Sequence, residues 1–389
     1  MFILLMGIFW ITIIGSNYPS QLLSKILFDF EDNLYNFLHL IKSPTILTDM
    51  IVYGIYHTVS WVVAVMLPPM AIFFPIFSLL EDFGYLPRIA FNMDKCFQKC
   101  NSCGKQALTI CMEFGCSAVG VTGAIIIDSK RERLIAILTN CLVPCNGKFP
   151  TMIALITLFF TGLKTTPLNI FSQSFFLTLI IVFSIILTFI ISKLLSIIIL
   201  KGEQSSFILE LPPYRKPQII KVIINSIFSK ILLVLFRAIT VAAPAGIILW
   251  ILANTKIGEN NLFICLSNFI TPFATLIGMD GEILLAFILG FPANEVIFPI
   301  LIMIYQSSSH LSQIDRLNTI RDLLIDNNWT MKTAVIVLIF FLVHFQCSTT
   351  CLTIKKETNS IKWTVIGFLI PTIVGIFLCF ILNTVWQLF

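Results

Sequence analysis

Charge is scarce in this sequence: Asp, Glu, Lys and Arg together make up 12% of 389 residues. Soluble domains carry about 25%, so the shortage excludes an ordinary soluble globular protein. Histidine is scarcer still, with four copies, and no H-E-x-x-H pattern occurs, which argues against an intramembrane metalloprotease of that type. The phosphate-cradling pattern G-x-x-x-x-G-K-[ST] is also missing. Lys99 and Leu142 stand where its first glycine would precede Gly104-Lys105 and Gly147-Lys148. No basic tract with interleaved aromatics points to nucleic acid.

What the chain has instead is apolar side chains, 57% of residues, with a mean hydropathy of +0.95. Crossing a bilayer core takes roughly 20 apolar residues in a helix, and about eight runs approach that length. They fall at 2–17, 55–80, 134–162, 173–200, 231–253, 282–305, 332–352 and 362–384. Two further stretches, 107–127 and 262–279, are too short or too glycine-rich and suit re-entrant segments, whose backbone must be satisfied by protein or water. The expected fold is an all-α polytopic membrane protein. MFILLMGIFWITIIG lacks a basic n-region and a small-x-small cleavage site, so it reads as a first membrane helix and not a signal peptide. With the amino terminus inside, the inner loops hold most Lys and Arg, including Arg88, Lys105, Arg131, Arg133, Arg215 and Arg321, as inward-facing loops do. The KKETNSIK loop (355–362) disagrees with that count. Eleven cysteines, mostly in apolar or inward-facing segments, predict reduced thiols or metal ligands and not a disulfide framework.

The order of unusual segments repeats. A helix containing MLPPM (66–70) leads to GCSAVGVTG (115–123) and a helix ending NCLVPCNGKFPT (140–151). Later, a helix containing VAAPAG (241–246) leads to GFPANEV (290–296) and a helix ending HFQCSTTC (344–351). An odd number of crossings separates the two units, which inverts one against the other. Inverted repeats with helices broken at corresponding places mark secondary transporters that bind substrate near the midplane. The chain is divided accordingly into 1–54, a first helix and an outer amphipathic segment; 55–163, the first repeat; 164–229, a fourth helix and cytoplasmic loop; 230–353, the second repeat; and 354–389, a last helix.

The breaks hold the chemistry. Glu295 sits in a hydrocarbon-length run, where a carboxylate costs about 3 kcal/mol and usually faces a cavity or partner. Pro292 and Pro299 remove backbone donors, so Glu295, the Asn294 amide and loose carbonyls outline a cation site. The simpler reading pairs Glu295 with Arg237, an arginine inside an expected span. Cys116, Cys145 and Cys347 occupy matching places in the breaks. Thiolates suit iron, copper or zinc and not magnesium or calcium, while buried cysteine is also ordinary packing. His344, one turn before Cys347, is a ligand or a bonded core histidine. Cys96, Cys100 and Cys103 make a C-x3-C-x2-C set with no nearby histidine, an incomplete zinc site or fortuitous spacing.

These motifs, LLAFILGFPANEVIFPILIMIY (284–305), ELPPYRKPQ (210–218), VAAPAGIILWILAN (241–254), SKRERLIAILTNCLVPCNGKFPT (129–151) and HFQCSTTCLTIKKET (344–358), resemble the membrane part of the ferrous iron transport protein B family. The resemblance covers nearly the whole chain. It implies two inverted Gate-type repeats and Fe2+ uptake across the bacterial cytoplasmic membrane. Cys116, Cys145, Cys347, Asn294 and Glu295 would line the path, Fe2+ being substrate and no cofactor being held permanently. It also implies a G-protein domain; because Met1 stands on the first membrane helix, either a split system with that domain on a separate chain or a truncated or silent copy is expected, with a small FeoA-like protein as partner and a homo-oligomer as a further expectation. GCSAVG departs from members that carry proline after the Gly-Cys pair, which predicts a different geometry for the first break. Two rival readings are a Gate-type carrier of a nucleoside-like solute, expected to have an aromatic-lined cavity, and a non-transporting scaffold that docks a G protein.

Overall fold

The computed structural model describes residues 2–85, 88, 91–92, 97–99, 103–161, 167–200, 218–257, 260–306 and 317–388. They are almost wholly helical, apart from a two-residue antiparallel ladder, β1 (Lys256–Ile257) on β2 (Asn260–Asn261). The all-α membrane architecture read from the sequence is what the chain adopts. Four described helices are long and apolar enough to cross a membrane, or five if one bent pair counts as a single span. The breaks lower that count, because they divide apolar runs into pieces too short to span alone.

Helix α1 (Phe2–Leu40) corrects one expectation. The first span was drawn to end near residue 17, yet the helix continues through Pro19 for 39 residues. At 1.5 Å per residue that is ~58 Å, about twice a hydrocarbon core. A proline inside a helix forfeits one backbone bond, and here tertiary contacts hold the helix beyond it. Tyr56 donates to the Leu27 carbonyl at 2.8 Å, and His57 Nδ1 meets Glu31 Oε2 at 2.8 Å in a buried pair. Those partners stand on the next element, where α2 (Thr45–Asp49) passes through a π-helical stretch, Met50–Tyr56, into α3 (His57–Asp82).

The first half continues with α4 (Lys105–Glu113), α5 (Ser117–Gly123), α6 (Lys130–Asn140) and α7 (Phe149–Ile156). Ser129 caps α6 by accepting from the Glu132 amide at 3.4 Å, and a Ser-x-x-Glu start is a standard way to satisfy orphan N–H groups. After α8 (Pro167–Ile198), α9 (Ile219–Asn225) leads through a second π-helical stretch, Ser226–Ile231, into α10 (Leu232–Asn254). The second half follows as α11 (Leu262–Ile277), α12 (Gly281–Leu289), α13 (Ile297–Gln306), α14 (Leu317–Asp326), α15 (Met331–Val343) and α16 (Ser348–Thr358), with α17 (Ile361–Leu388) closing the chain.

The proposed re-entrant stretch 262–279 forms α11, which turns into α12 at 106°. Gly278 makes that turn at φ +82, a conformation open to glycine and strained for other residues. The expected stretch 107–127 is likewise two short helices, α4 and α5, with a break between them. The two proline-bearing helices cross through small residues: a side chain at Gly246 of α10 would strike the Gly54 carbonyl in the Met50–Tyr56 stretch. Such glycine contacts let membrane helices approach closely.

Candidate functional site

Four short helices start inside the molecule, each preceded by one extended residue. Cys116 (φ −161, ψ 130) precedes α5, and Cys145 (φ −86, ψ 169) precedes the 3-10 turn Asn146–Lys148 that opens α7. Ala293 (φ −148, ψ 122) precedes the turn Asn294–Val296 that opens α13, and Cys347 (φ −63, ψ 156) precedes α16. Three of the four breaks have a local cause in glycine or proline. Gly115 and Gly290 release the preceding helices α4 and α12, while Pro144 and Pro292 supply no backbone donor with which to continue one. The GCSAVG break forms without the family's proline, with Phe114 and Gly115 making the turn.

The breaks pair crosswise. Helix α5 packs on α16, and the 146–148 turn packs on the 294–296 turn. The first break of one half therefore meets the second break of the other, as a pseudo-two-fold relation between halves requires. Within the second half, the Ser348 amide donates to the Phe291 carbonyl at 3.0 Å and its hydroxyl to the Pro292 carbonyl at 3.2 Å. Between halves, the space a side chain would need at Gly147 is filled by the Glu295 carboxylate.

A small cavity, about 50 Å3, lies where the breaks meet. Cys116, Cys145, Cys347, Asn294 and Glu295 all line it, so the five residues singled out from sequence share one place. Met66 of α3 adds a thioether sulfur to the lining, and Ala238 and Val241 of α10 line it too. Cys145 and Asn294 are buried, while Cys116, Glu295 and Cys347 are half-buried. The Cys347 sulfur lies 3.2 Å from the Thr350 hydroxyl. Among the described residues no three His, Cys, Asp or Glu side chains already stand close enough to hold a metal ion. The cavity gathers ligand types without forming a closed cage.

His344 is a bonded core histidine. It is fully buried, ringed by Phe287, Phe341 and Phe345. Its Nδ1 is 2.8 Å from the Phe341 carbonyl, and its Nε2 is 3.4 Å from Asn294 Oδ1. It touches Asn294 and does not itself line the cavity. The pairing proposed between Glu295 and Arg237 lies outside the described residues, because the Arg237 side chain is not among them. Cys96 and Cys100 also lie outside; Cys103 is buried with Ile127 and Ala136 in a small apolar cluster.

Sequence reading passed over two buried charged side chains nearby. Lys148, 3% exposed, donates to the Leu342 carbonyl at 3.0 Å, one of the carbonyls left over at the end of α15. Glu113 is fully buried at the end of α4. Lys148 is within electrostatic reach of Glu113, Cys145 and Cys347, and Glu113 of Cys145. The signal was available, since a charged residue inside an otherwise apolar segment is a functional candidate by default.

Comparison with known proteins agrees with this arrangement. Residues 63–159 and 235–361 match the Gate family, described as nucleoside recognition, and residues 177–228 match the ferrous iron transport protein B C terminus. A protein of Staphylococcus aureus (strain COL), named Fe(2+) transporter FeoB, is 30% identical over 388 residues, covering 97% of this chain and 55% of its own. Proteins of the same name from Leptospira interrogans and Leptospira biflexa are 28% and 27% identical, covering 84% and 98% of this chain and 49% and 56% of their own. The chain thus spans about half the length of the curated relatives it matches. No solved structure matches it. The Gate match alone takes in more than half of the chain, and with the C-terminal match it shows that this multi-pass membrane protein belongs to the ferrous iron transport protein B family.

Proposed function

We propose that the chain conducts Fe2+ across the bacterial cytoplasmic membrane through the cavity between its two halves. The observation that carries this reading is the convergence of three helix-capping cysteines and Glu295 on that cavity. Fe2+ exchanges part of its hydration shell for the sulfurs of Cys116, Cys145 and Cys347, and the carboxylate of Glu295 offsets the remaining charge. The N–H groups that open α5, α7 and α16 favour negative charge at the capping position, so they support each sulfur once the metal displaces its proton. Thiolate ligands favour Fe2+ over Mg2+ and Ca2+. Because the ligands are not preassembled, the ion draws them together and loses them again as the halves move, which suits passage better than storage. The amino terminus lies inside, and a G-protein domain, on this chain or another, acts with a small FeoA-like partner from the cytoplasmic side.

A nucleoside-like solute would call for aromatic stacking surfaces. Among the described residues lining the cavity none is aromatic, which favours the ion.

The test is uptake of labelled Fe2+ under reducing conditions by vesicles holding the purified chain. Cys347→Ser and Glu295→Gln are each expected to lower the initial rate by about tenfold or more, the scale seen when the surroundings of a metal are disturbed. Parental rates in both variants, at equal insertion, would remove the site.

A further inference from the structure

Beside the sulfur cavity lies a second group of buried polar side chains with no assigned role. Glu113 is fully buried; Ser117 faces it, yet neither carboxylate oxygen completes a hydrogen bond of standard geometry. Asn140, the last residue of α6, is 1% exposed and both its amide atoms lack partners. The two side chains flank Gly120, where an added Cβ would strike the Asn140 amide and lie 3.1 Å from Glu113 Cβ. Gln346, 4% exposed in the break before α16, approaches Cys141, itself within electrostatic reach of Glu113. Neither amide atom of Gln346 completes a bond. The contrast with Gln106 is instructive: this neighbouring buried amide donates to the Thr139 hydroxyl at 2.7 Å.

Buried polar atoms in folded proteins are nearly all paired, and a cluster that is not points to water or an ion. One carboxylate and two amide oxygens, completed by water, form a donor set for a hydrated divalent cation, harder than the sulfur set next door. None of the three lines the sulfur cavity, but Glu113 senses both Cys145 and Lys148. We propose that Glu113, Asn140 and Gln346 form a second, oxygen-donor station that receives the divalent cation from the sulfur cavity. The Lys148 ammonium, held on the Leu342 carbonyl, is within electrostatic reach of both and keeps either from retaining the ion, because its positive charge weakens the hold of each. This inference rests on the transport reading above.

The test uses the full chain in lipid nanodiscs and two probe metals. Mn2+ alone, followed by electron paramagnetic resonance, reports oxygen ligation. Co2+ alone, through its thiolate charge-transfer absorption, reports the sulfur cavity. Glu113→Gln is expected to weaken Mn2+ binding by about tenfold or more while keeping the Co2+ band, which also shows that the variant is folded. Glu113→Asp, which retains the carboxylate, is expected to recover part of the loss. The triple variant Cys116→Ser, Cys145→Ser, Cys347→Ser is expected to lose the Co2+ band and keep Mn2+ binding. Absence of Mn2+ binding in the parent, unchanged Mn2+ binding in Glu113→Gln, or loss of Mn2+ binding in the triple variant would overturn the proposal. If Glu113→Gln loses the Co2+ band through misfolding, Gln346→Leu decides, with unchanged Mn2+ binding counting against the station. Undiminished iron uptake by the triple variant would instead sink the transport reading and leave the Mn2+ result standing.

Discussion

The two halves of the molecule share a scaffold and differ in what they place on it. In the first half both breaks put a cysteine at the helix-capping position, Cys116 and Cys145. In the second half one break does the same with Cys347, but the other places Ala293 there, followed by Asn294 and Glu295. Four sulfurs around one point would be the closed set of structural zinc and iron–sulfur sites, which hold metal tightly. Replacing the fourth by a carboxylate two residues further on keeps negative charge in the cavity and gives up that closure. A pseudo-symmetric frame with one asymmetric corner can bind a cation and still release it.

The comparison is broken most severely by restoring the symmetry. Ala293→Cys is expected to tighten retention of Zn2+ by about 100-fold, since soft thiolate sets select such metals, and to slow Fe2+ uptake accordingly. Chelator competition on the purified chain measures the first effect, and unchanged retention would show that position 293 does not share the cysteines' geometry. Next in size, Gly147→Ala drives a methyl group into the space of the Glu295 carboxylate. Uptake is expected to fall about tenfold, as for a displaced partner of a metal site, and to recover in part when Glu295→Asp shortens the side chain. A smaller effect is expected of His344→Phe. It keeps the aromatic packing with Phe287 and Phe345 but frees Asn294, at about 1–3 kcal/mol of stability for the unpaired amide, read by thermal unfolding.

The smallest effect belongs to a pair outside the expected spans, the half-buried Lys105 Nζ with the exposed Asp128 Oδ2 at 2.7 Å. The hydrogen bond and charge of Lys105 hold the Asp128 carboxyl below its ordinary value. Whatever the pair contributes is therefore present above the ordinary carboxylate range and fades as pH falls toward the lowered value. Asp128→Asn is expected to leave uptake unchanged, and any difference in melting temperature from the parent is expected to vanish in acid. A difference that grows in acid would reverse that sign.

Much of the site was legible because breaks announce themselves. Prolines, glycines and a carboxylate inside apolar runs led to Cys116, Cys145, Cys347, Asn294 and Glu295, and the fold brings all five to one cavity. The repeated order of the motifs likewise foretold which breaks correspond. Three things stayed hidden. The length of α1 depends on contacts such as Glu31 with His57, which link residues far apart in sequence. The approach of Glu113 to Asn140 across Gly120 arises only when the ends of two separate helices converge. His344 could be read as a ligand or, more readily, as a bonded core histidine, and its bonds to Phe341 and Asn294 fit the second reading.

The most direct measurement is the iron-edge X-ray absorption of Fe2+ bound to the purified full chain under reducing conditions. The expected result is a shell of sulfur neighbours at about 2.3 Å, the usual length of a metal–thiolate bond, lost when Cys116, Cys145 and Cys347 are together changed to serine. A first shell of oxygen and nitrogen alone in the parent chain would contradict the claim that the broken helices bring sulfur to the ion.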